Sequence, residues 1–169
     1  MNKYYAQCIL YSYNSIDAII KQVDKHIEEK AYSSISNFSP AFEQCLGIVK
    51  LTEKKDSLLF LKDVTKKILS EFSFSDYIHL EYKFFRKPDK LRYVTIDFRS
   101  RCYFRKQNKL IELFSNKLKE NGYTDDWFTS NYLIFDFFKN LYRKVIEHER
   151  TSFKNPKISR KKREAKIPA

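Results

Sequence analysis

Glycine and proline are scarce in this chain, with two glycines and four prolines among 169 residues. β-Sandwiches and barrels rely on glycine- and proline-rich turns, and phosphate-binding loops need glycine outright. The scarcity therefore favours long helices joined by few tight turns, and the chain is long enough to bury a real core. We expect an all-α fold: a helical bundle with a long N-terminal helical hairpin, a helix-turn-helix-like segment and a basic, disordered C-terminal tail.

Apolar periodicity divides the chain into a single helical domain, residues 1–153, followed by the basic tail, residues 154–169. Within the domain we expect the hairpin at 1–72, the helix-turn-helix-like segment at 73–121 and a C-terminal helix at 123–150. The hairpin can be core scaffold, or it can be a module for oligomerisation or for docking a partner.

The first hairpin helix is predicted over residues 3 to about 30 as one amphipathic helix, and the second from Pro40 to about Phe72 in one or two pieces. The polar run LTEKKDS marks a bend if there are two pieces. Ser39 is the predicted N-cap of that second helix.

Three further residues have the chemistry of helix ends. Ser75 is a candidate N-cap, Gly122 a C-terminal glycine cap, and Thr124 the N-cap of the last long helix. That last helix carries a broad aromatic face, which we expect to be buried against the hairpin.

The three cysteines, Cys8, Cys45 and Cys102, are odd in number and widely spaced, which excludes a disulfide framework and a CxxC metal site. Cys8 and Cys45 lie among apolar residues and are predicted to be buried. A reducing cytoplasm fits this usage best. No signal peptide and no membrane helix is predicted, because no apolar run is long enough.

No catalytic motif is present. His26, His79 and His148 lack a second histidine at metal-ligand spacing, and there is no HExxH, GxSxG, Walker loop or GxGxxG. His79 fits a capped or solvated helix histidine better than a general base. We therefore expect a protein that is not an enzyme and has no cofactor and no metal.

The net charge of +12 is concentrated in two short segments. Residues 83–109 hold ten basic and two acidic side chains, and residues 154–169 hold seven and one, whereas the rest of the chain is nearly balanced. Such clustering favours a polyanionic partner. The alternative is charge that serves solubility, together with a solvated tail.

The stretch from Phe98 to Leu118 connects the basic segment to an apolar-periodic helix. One predicted face carries Arg101, Arg105, Asn108 and Glu112, and another carries Phe104, Ile111, Phe114 and Leu118. A recognition helix needs this division, because its N-terminal part meets base edges and phosphates while its C-terminal part is core. The alternative is an amphipathic helix whose basic face is merely solvated.

The run from Asp76 to Leu118 resembles the helix-turn-helix of sigma-factor region four and of ArpU-type phage late transcriptional regulators. The matching residues are Leu80, Glu81, Tyr82, Lys83 and Phe84, then Ser100, Arg101, Phe104, Arg105, Lys106 and Leu110. The resemblance implies DNA contacts at Ser100, Arg101, Tyr103 and Arg105. The middle of the motif, residues 88–97, is a strand by propensity or a short helix, and the sequence does not decide between them.

The favoured function is DNA binding, as a bacterial or phage transcriptional regulator. The expected binding residues are Lys83, Arg86, Lys87, Lys90, Arg92, Arg99, Ser100, Arg101, Tyr103, Arg105, Lys106, Asn108 and Lys109. The expected partner is duplex DNA, with RNA left open and with RNA polymerase, another protein or a second copy as further partners. The alternative is a non-enzymatic interaction module that docks a protein through its hairpin and its aromatic C-terminal helix.

Overall fold

The computed structural model describes residues 1–36, 41–85 and 101–154, and it confirms the all-α fold. The described residues form seven α-helices and one π-helical turn, with no strand among them. The helices are α1 (Lys3–Ser12), α2 (Ile16–Ser36), α3 (Ala41–Ser70), α4 (Phe74–Leu80), α5 (Arg101–Glu120), α6 (Asp125–Asn131) and α7 (Asp136–Lys154), and the π-helical turn, Glu81–Phe85, follows α4 directly. The predicted tail beyond Lys154 and the predicted cap Ser39 lie outside the described residues.

The short helix α1 is the centre of the domain. Six of its ten residues are buried, including Ala6, Cys8 and Ile9, and it packs against α7, α5, α3 and the π-helical turn. Asn2 caps it by accepting a hydrogen bond from the Tyr4 backbone at 3.0 Å. Its five consecutive residues 6–10 are all buried, so this helix is covered on several sides at once.

The single helix predicted over residues 3 to 30 is wrong, because the chain breaks between α1 and α2. The Ser12 hydroxyl donates to the Ile9 carbonyl at 2.8 Å, and the Asn14 amide donates to the Phe85 carbonyl at 2.6 Å. Serine and asparagine compete with the helix for backbone hydrogen bonds, and the cluster SYNS supplies three of them in four residues. The break lets α1 enter the core while α2 runs along α3.

Helices α2 and α3 form the predicted antiparallel hairpin and make the most extensive helix pair in the described chain. Salt bridges of 2.6 Å join Lys55 to Asp24 and Lys62 to Asp17 across it. α3 is one continuous helix, so LTEKKDS is not a bend, and α2 extends to Ser36, beyond the predicted end near residue 30.

Only the half of the hairpin nearest α1 contributes to the core. The buried residues of α3 begin at Leu58, and within residues 16–32 of α2 the last buried residue is Val23. Residues 41–53 therefore extend beyond the core as a helical arm about 20 Å long. The predicted burial of Cys45 is wrong, since this thiol lies exposed on the arm, whereas Cys8 is buried as expected. Burial raises the pKa of Cys8 to about 12.

α4 begins two residues earlier than expected. Ser73, not Ser75, is its N-cap and accepts a hydrogen bond from the Asp76 backbone at 3.2 Å. The π-helical turn that follows widens the helix by one residue, and it places Phe84 and Phe85 against the rings of Tyr11 and Tyr13 at 4.6 and 5.2 Å.

The glycine cap of α5 is confirmed. Gly122 has a φ of 86°, a left-handed conformation that favours glycine. Its N–H donates to the Lys119 carbonyl and the N–H of Tyr123 donates to the Leu118 carbonyl, both at 2.9 Å, which is the Schellman arrangement. The chain therefore reverses here and leads into α6.

Thr124 is confirmed as an N-cap, but the helix that it starts is short. It accepts a hydrogen bond from the Trp127 backbone at 3.3 Å, and α6 ends at Asn131. The break between α6 and α7 brings the rings of Phe128, Tyr132 and Phe138 together in the core, with centroids 5.6 to 5.8 Å apart. The Tyr132 hydroxyl donates to the Ser57 carbonyl at 3.0 Å, which ties this cluster to α3.

Phe114 tests the packing of α5 directly. Its side chain is fully buried, 6.4 Å from the ring of Phe72, whereas its neighbour Leu113 is 42% exposed. We expect Phe114→Ala to lower the free energy of unfolding by about 3–5 kcal/mol through lost burial and a cavity. Leu113→Ala, the matched control, should cost less than about 1 kcal/mol. Equal losses in urea unfolding would contradict this orientation of the helix.

Candidate nucleic-acid interface

The functional candidate is the N-terminal half of α5, residues 101–109. The C-terminal half is held in the core by Leu110, Ile111, Phe114 and Leu118, all of them buried. In addition, the Ser115 hydroxyl donates to the Met1 carbonyl. The anchored half fixes the direction of the helix and of the side chains that precede it.

Three of the predicted binding residues point outward on this half. Arg105, Asn108 and Lys109 are exposed and fall on one side of α5, and we call them the outer basic face. Their spacing of three and four residues places them on adjacent turns of the helix. Glu112 continues the same side one turn further along, so an acidic side chain ends the basic cluster after Lys109.

Lys106 lies on another side of the helix and is held by α4. Its ammonium lies 3.1 Å from Asp76 Oδ1 and 3.3 Å from the Ser75 hydroxyl. Burial by itself raises the pKa of Asp76, but the hydrogen bond from Ser73 and the charge of Lys106 together bring that pKa below its ordinary value. This lysine therefore joins α4 to α5.

Gln107 completes the link between the two helices. It is almost fully buried, and its amide donates to the His79 carbonyl at 2.6 Å and to the Tyr103 hydroxyl at 3.3 Å. Nothing in the sequence prediction assigned a role to Gln107. The sequence did contain one signal for its burial. Gln107 lies three residues before Leu110 and four before Ile111, which places it on the same inner face of the helix.

Aromatic side chains surround the start of the outer basic face. Tyr103 is half-buried and its ring stacks on His79 with centroids 6.3 Å apart, and burial raises the pKa of its hydroxyl. Phe104 was predicted to lie on the apolar face, but it is 47% exposed because the first turn of α5 projects beyond the core. His79 is the expected helix histidine, with its Nδ1 2.7 Å from the Ser75 carbonyl.

Lys83 lies apart from the outer basic face. It is half-buried in the π-helical turn, with its ammonium 5.1 Å from the centre of the Phe84 ring. Burial lowers the pKa of Lys83, and the nearby charge of Glu149 opposes that shift only in part. The structure thus directs this cation toward the protein.

Other predicted residues cannot be placed. The backbone of Arg101 starts α5, but its side chain is outside the described part of the structure. The same is true of Arg86, Lys87, Lys90, Arg92, Arg99 and Ser100, which belong to residues 86–100. The middle of the proposed helix-turn-helix motif also falls there, so both its strand and its helix interpretation stay predictions.

Residues 1–36, 41–85 and 101–154 contain no cluster of three or more histidine, cysteine, aspartate or glutamate side chains that could hold a metal ion. Among the helices formed by those residues, none combines the length and the apolar character needed to cross a membrane.

Comparison with known proteins adds nothing to this geometry: no family model, no curated protein and no solved structure matches the chain. The resemblance to sigma-factor region four and to ArpU-type regulators therefore stays a prediction.

The pair of Asp76 and Lys106 gives a pH-dependent test of how α5 is held. Because the pKa of Asp76 is lowered in the folded protein, its stabilising effect is present above the ordinary carboxylate pKa and is lost as pH falls through the folded pKa. We expect Asp76→Asn to lower the free energy of unfolding by about 1 kcal/mol at neutral pH. The difference from wild type should vanish in strong acid.

Asp63→Asn is the matched control, because Asp63 is exposed in the middle of α3. It should change the free energy of unfolding by less than about 0.5 kcal/mol both at neutral pH and in strong acid. If Asp76→Asn is as stable as wild type at neutral pH in urea unfolding, the pair does not hold the two helices together.

Proposed function

We propose that the protein binds duplex DNA through the outer basic face of α5 and acts as a transcriptional regulator of a bacterium or phage. One observation carries the proposal: α5 is buried along its C-terminal half and exposes Arg105, Asn108 and Lys109 along its N-terminal half. A recognition helix has this division, since the anchored part directs the exposed part into the major groove.

The three side chains have complementary chemistry toward DNA. Arginine can donate two hydrogen bonds to guanine, asparagine can pair with adenine, and lysine can neutralise a phosphate. Asn108 lies three residues after Arg105, about 4.5 Å along the helix axis and on the same side of the helix. Both side chains can therefore reach into the same groove, with Lys109 on the backbone.

The surrounding charge supports the same partner. Residues 83–109 carry a net charge of +8, and Arg86, Lys87, Lys90, Arg92 and Arg99 belong to this segment. Under the proposal they contact flanking phosphates, together with Ser100 and Arg101 at the start of α5. The basic residues of 154–169 add non-specific affinity through counterion release, which makes binding steeply dependent on salt.

The structure changes the assignment of two cations within the proposal. Lys106 is paired with Asp76 and joins α4 to α5, and Lys83 is half-buried beside Phe84, so neither belongs to the outer basic face. The role in transcription, RNA polymerase or another protein as partner, and a cytoplasmic location rest on the resemblance and on composition.

A second candidate function is a helical module that docks a protein. It is favoured by two exposed apolar side chains of the C-terminal part: Ile134, between α6 and α7, at 60%, and Phe137, in α7, at 37%. Under this alternative the basic residues are solvated or meet an acidic protein surface, and nucleic acid does not bind.

Fluorescence anisotropy of a labelled duplex, titrated across a salt series, tests the DNA proposal. We expect Arg105→Ala combined with Lys109→Ala to weaken binding about 10- to 100-fold at low salt. The slope of log K against log salt should fall by about 1 for each phosphate contact removed. Lys119→Ala is the control, because Lys119 is exposed on the same helix but in its last turn.

Three results would count against the proposal. Wild type that does not bind duplex DNA favours the docking module. An unchanged affinity and salt slope in the double variant places the interface elsewhere. Tighter binding to duplex RNA of the same sequence assigns the site to RNA, whose deep major groove does not admit a helix in this way.

A further inference from the structure

The helical arm of the hairpin carries an apolar stripe that the domain does not cover. Phe42, Leu46 and Val49 lie at positions i, i+4 and i+7 of α3, and they are 76%, 42% and 49% exposed. No residue of α3 before Leu58 is buried. A soluble protein rarely leaves a run of large apolar side chains on a projecting helix unless a partner covers it.

The stripe faces away from α2. Lys55, on the opposite side of α3, forms its salt bridge with Asp24 of α2, and the side chain of Lys30 lies over Gly47. The pairing of the two hairpin helices is therefore already complete without Phe42, Leu46 or Val49. Whatever covers the stripe must come from outside the hairpin.

One flank of the stripe carries two opposite charges in a particular order. Glu43 and Lys50 are both exposed and lie seven residues apart, which is almost two full turns, so they share the same edge. Midway between them lie Leu46 and Gly47. When two copies of this edge run antiparallel, the acidic end of each lies beside the basic end of the other, so the edge is complementary to a second copy of itself.

We propose that the stripe is a self-association surface, and that two copies of the chain pair their α3 arms antiparallel about a two-fold axis between Leu46 and Gly47. In this register Glu43 meets Lys50 of the partner subunit, and the same pair recurs on the other side of the axis. Parallel pairing would place this flank on opposite sides of the interface in the two copies, so Glu43 and Lys50 would not meet. The interface is isologous and closes at two copies, so it does not extend into filaments.

This inference does not rest on DNA binding, because it uses only the helical arm. The arm is also distant in sequence from the outer basic face. Because the stripe is short, we expect a weak dimer with a Kd on the order of 10 μM. Its affinity is then lower than that of large permanent interfaces.

Sedimentation velocity over a concentration series, without nucleic acid, tests the dimer on the full chain. Wild type should move from monomer to dimer as concentration rises, and Leu46→Glu should stay monomeric. Because Leu46 is exposed and outside the core, the helical circular dichroism and the urea midpoint of this variant should match wild type. A wild type that is monomeric throughout, or a Leu46→Glu variant that still dimerises, overturns the proposal.

Charge reversal tests the antiparallel register. Either substitution alone, Glu43→Lys or Lys50→Glu, turns both symmetry-related pairs of the dimer into pairs of like charge. Each should therefore raise the Kd about tenfold. The double variant regenerates both pairs with reversed sign and should return toward the wild-type Kd. Lys21→Glu on α2 is the control for charge alone. Additive weakening in the double variant overturns the register.

Discussion

Burial of α1 is the constraint on which the rest of the structure depends. A ten-residue helix is marginal by itself in water, so α1 persists because α3, α5, α7 and the π-helical turn pack around it. Each of those elements must therefore direct its apolar side toward α1. For α5 this fixes Ile111 and Phe114 inward, which leaves Arg105 and Lys109 no orientation other than toward solvent.

Two of the described cations in the basic segment 83–109 do not belong to the outer basic face. Lys106 is neutralised by Asp76, and the pKa of Lys83 is lowered by burial next to an aromatic ring. Lys106 joins α5 to α4, and Lys83 lies in the π-helical turn, so neither adds to the outer basic face. That face is small, but its helix is held by α4 through Lys106 and Gln107 and by the core along its C-terminal half.

Local signals were enough to predict the all-α class, the hairpin, the amphipathic α5 and the caps at Gly122 and Thr124. The failures came where tertiary packing overrides periodicity. The helix breaks after Ser12 because α1 enters the core. Cys45 is exposed because the helical arm extends beyond the core. Phe104 fits the apolar period of α5 but has no core beside it. No pattern in the sequence shows how far a core extends.

Backbone amide chemical shifts of the full chain, titrated with a DNA duplex at low salt, test most directly whether α5 is the DNA-binding helix. We expect the largest shifts of the described residues to cluster at residues 102–109 of α5, while residues 110–118 and the helical arm shift little. We also expect the shifts to decrease as salt is raised. Shifts that cluster on α7 or on the arm, or no shifts at all, would contradict the assignment of α5 as the DNA-binding helix.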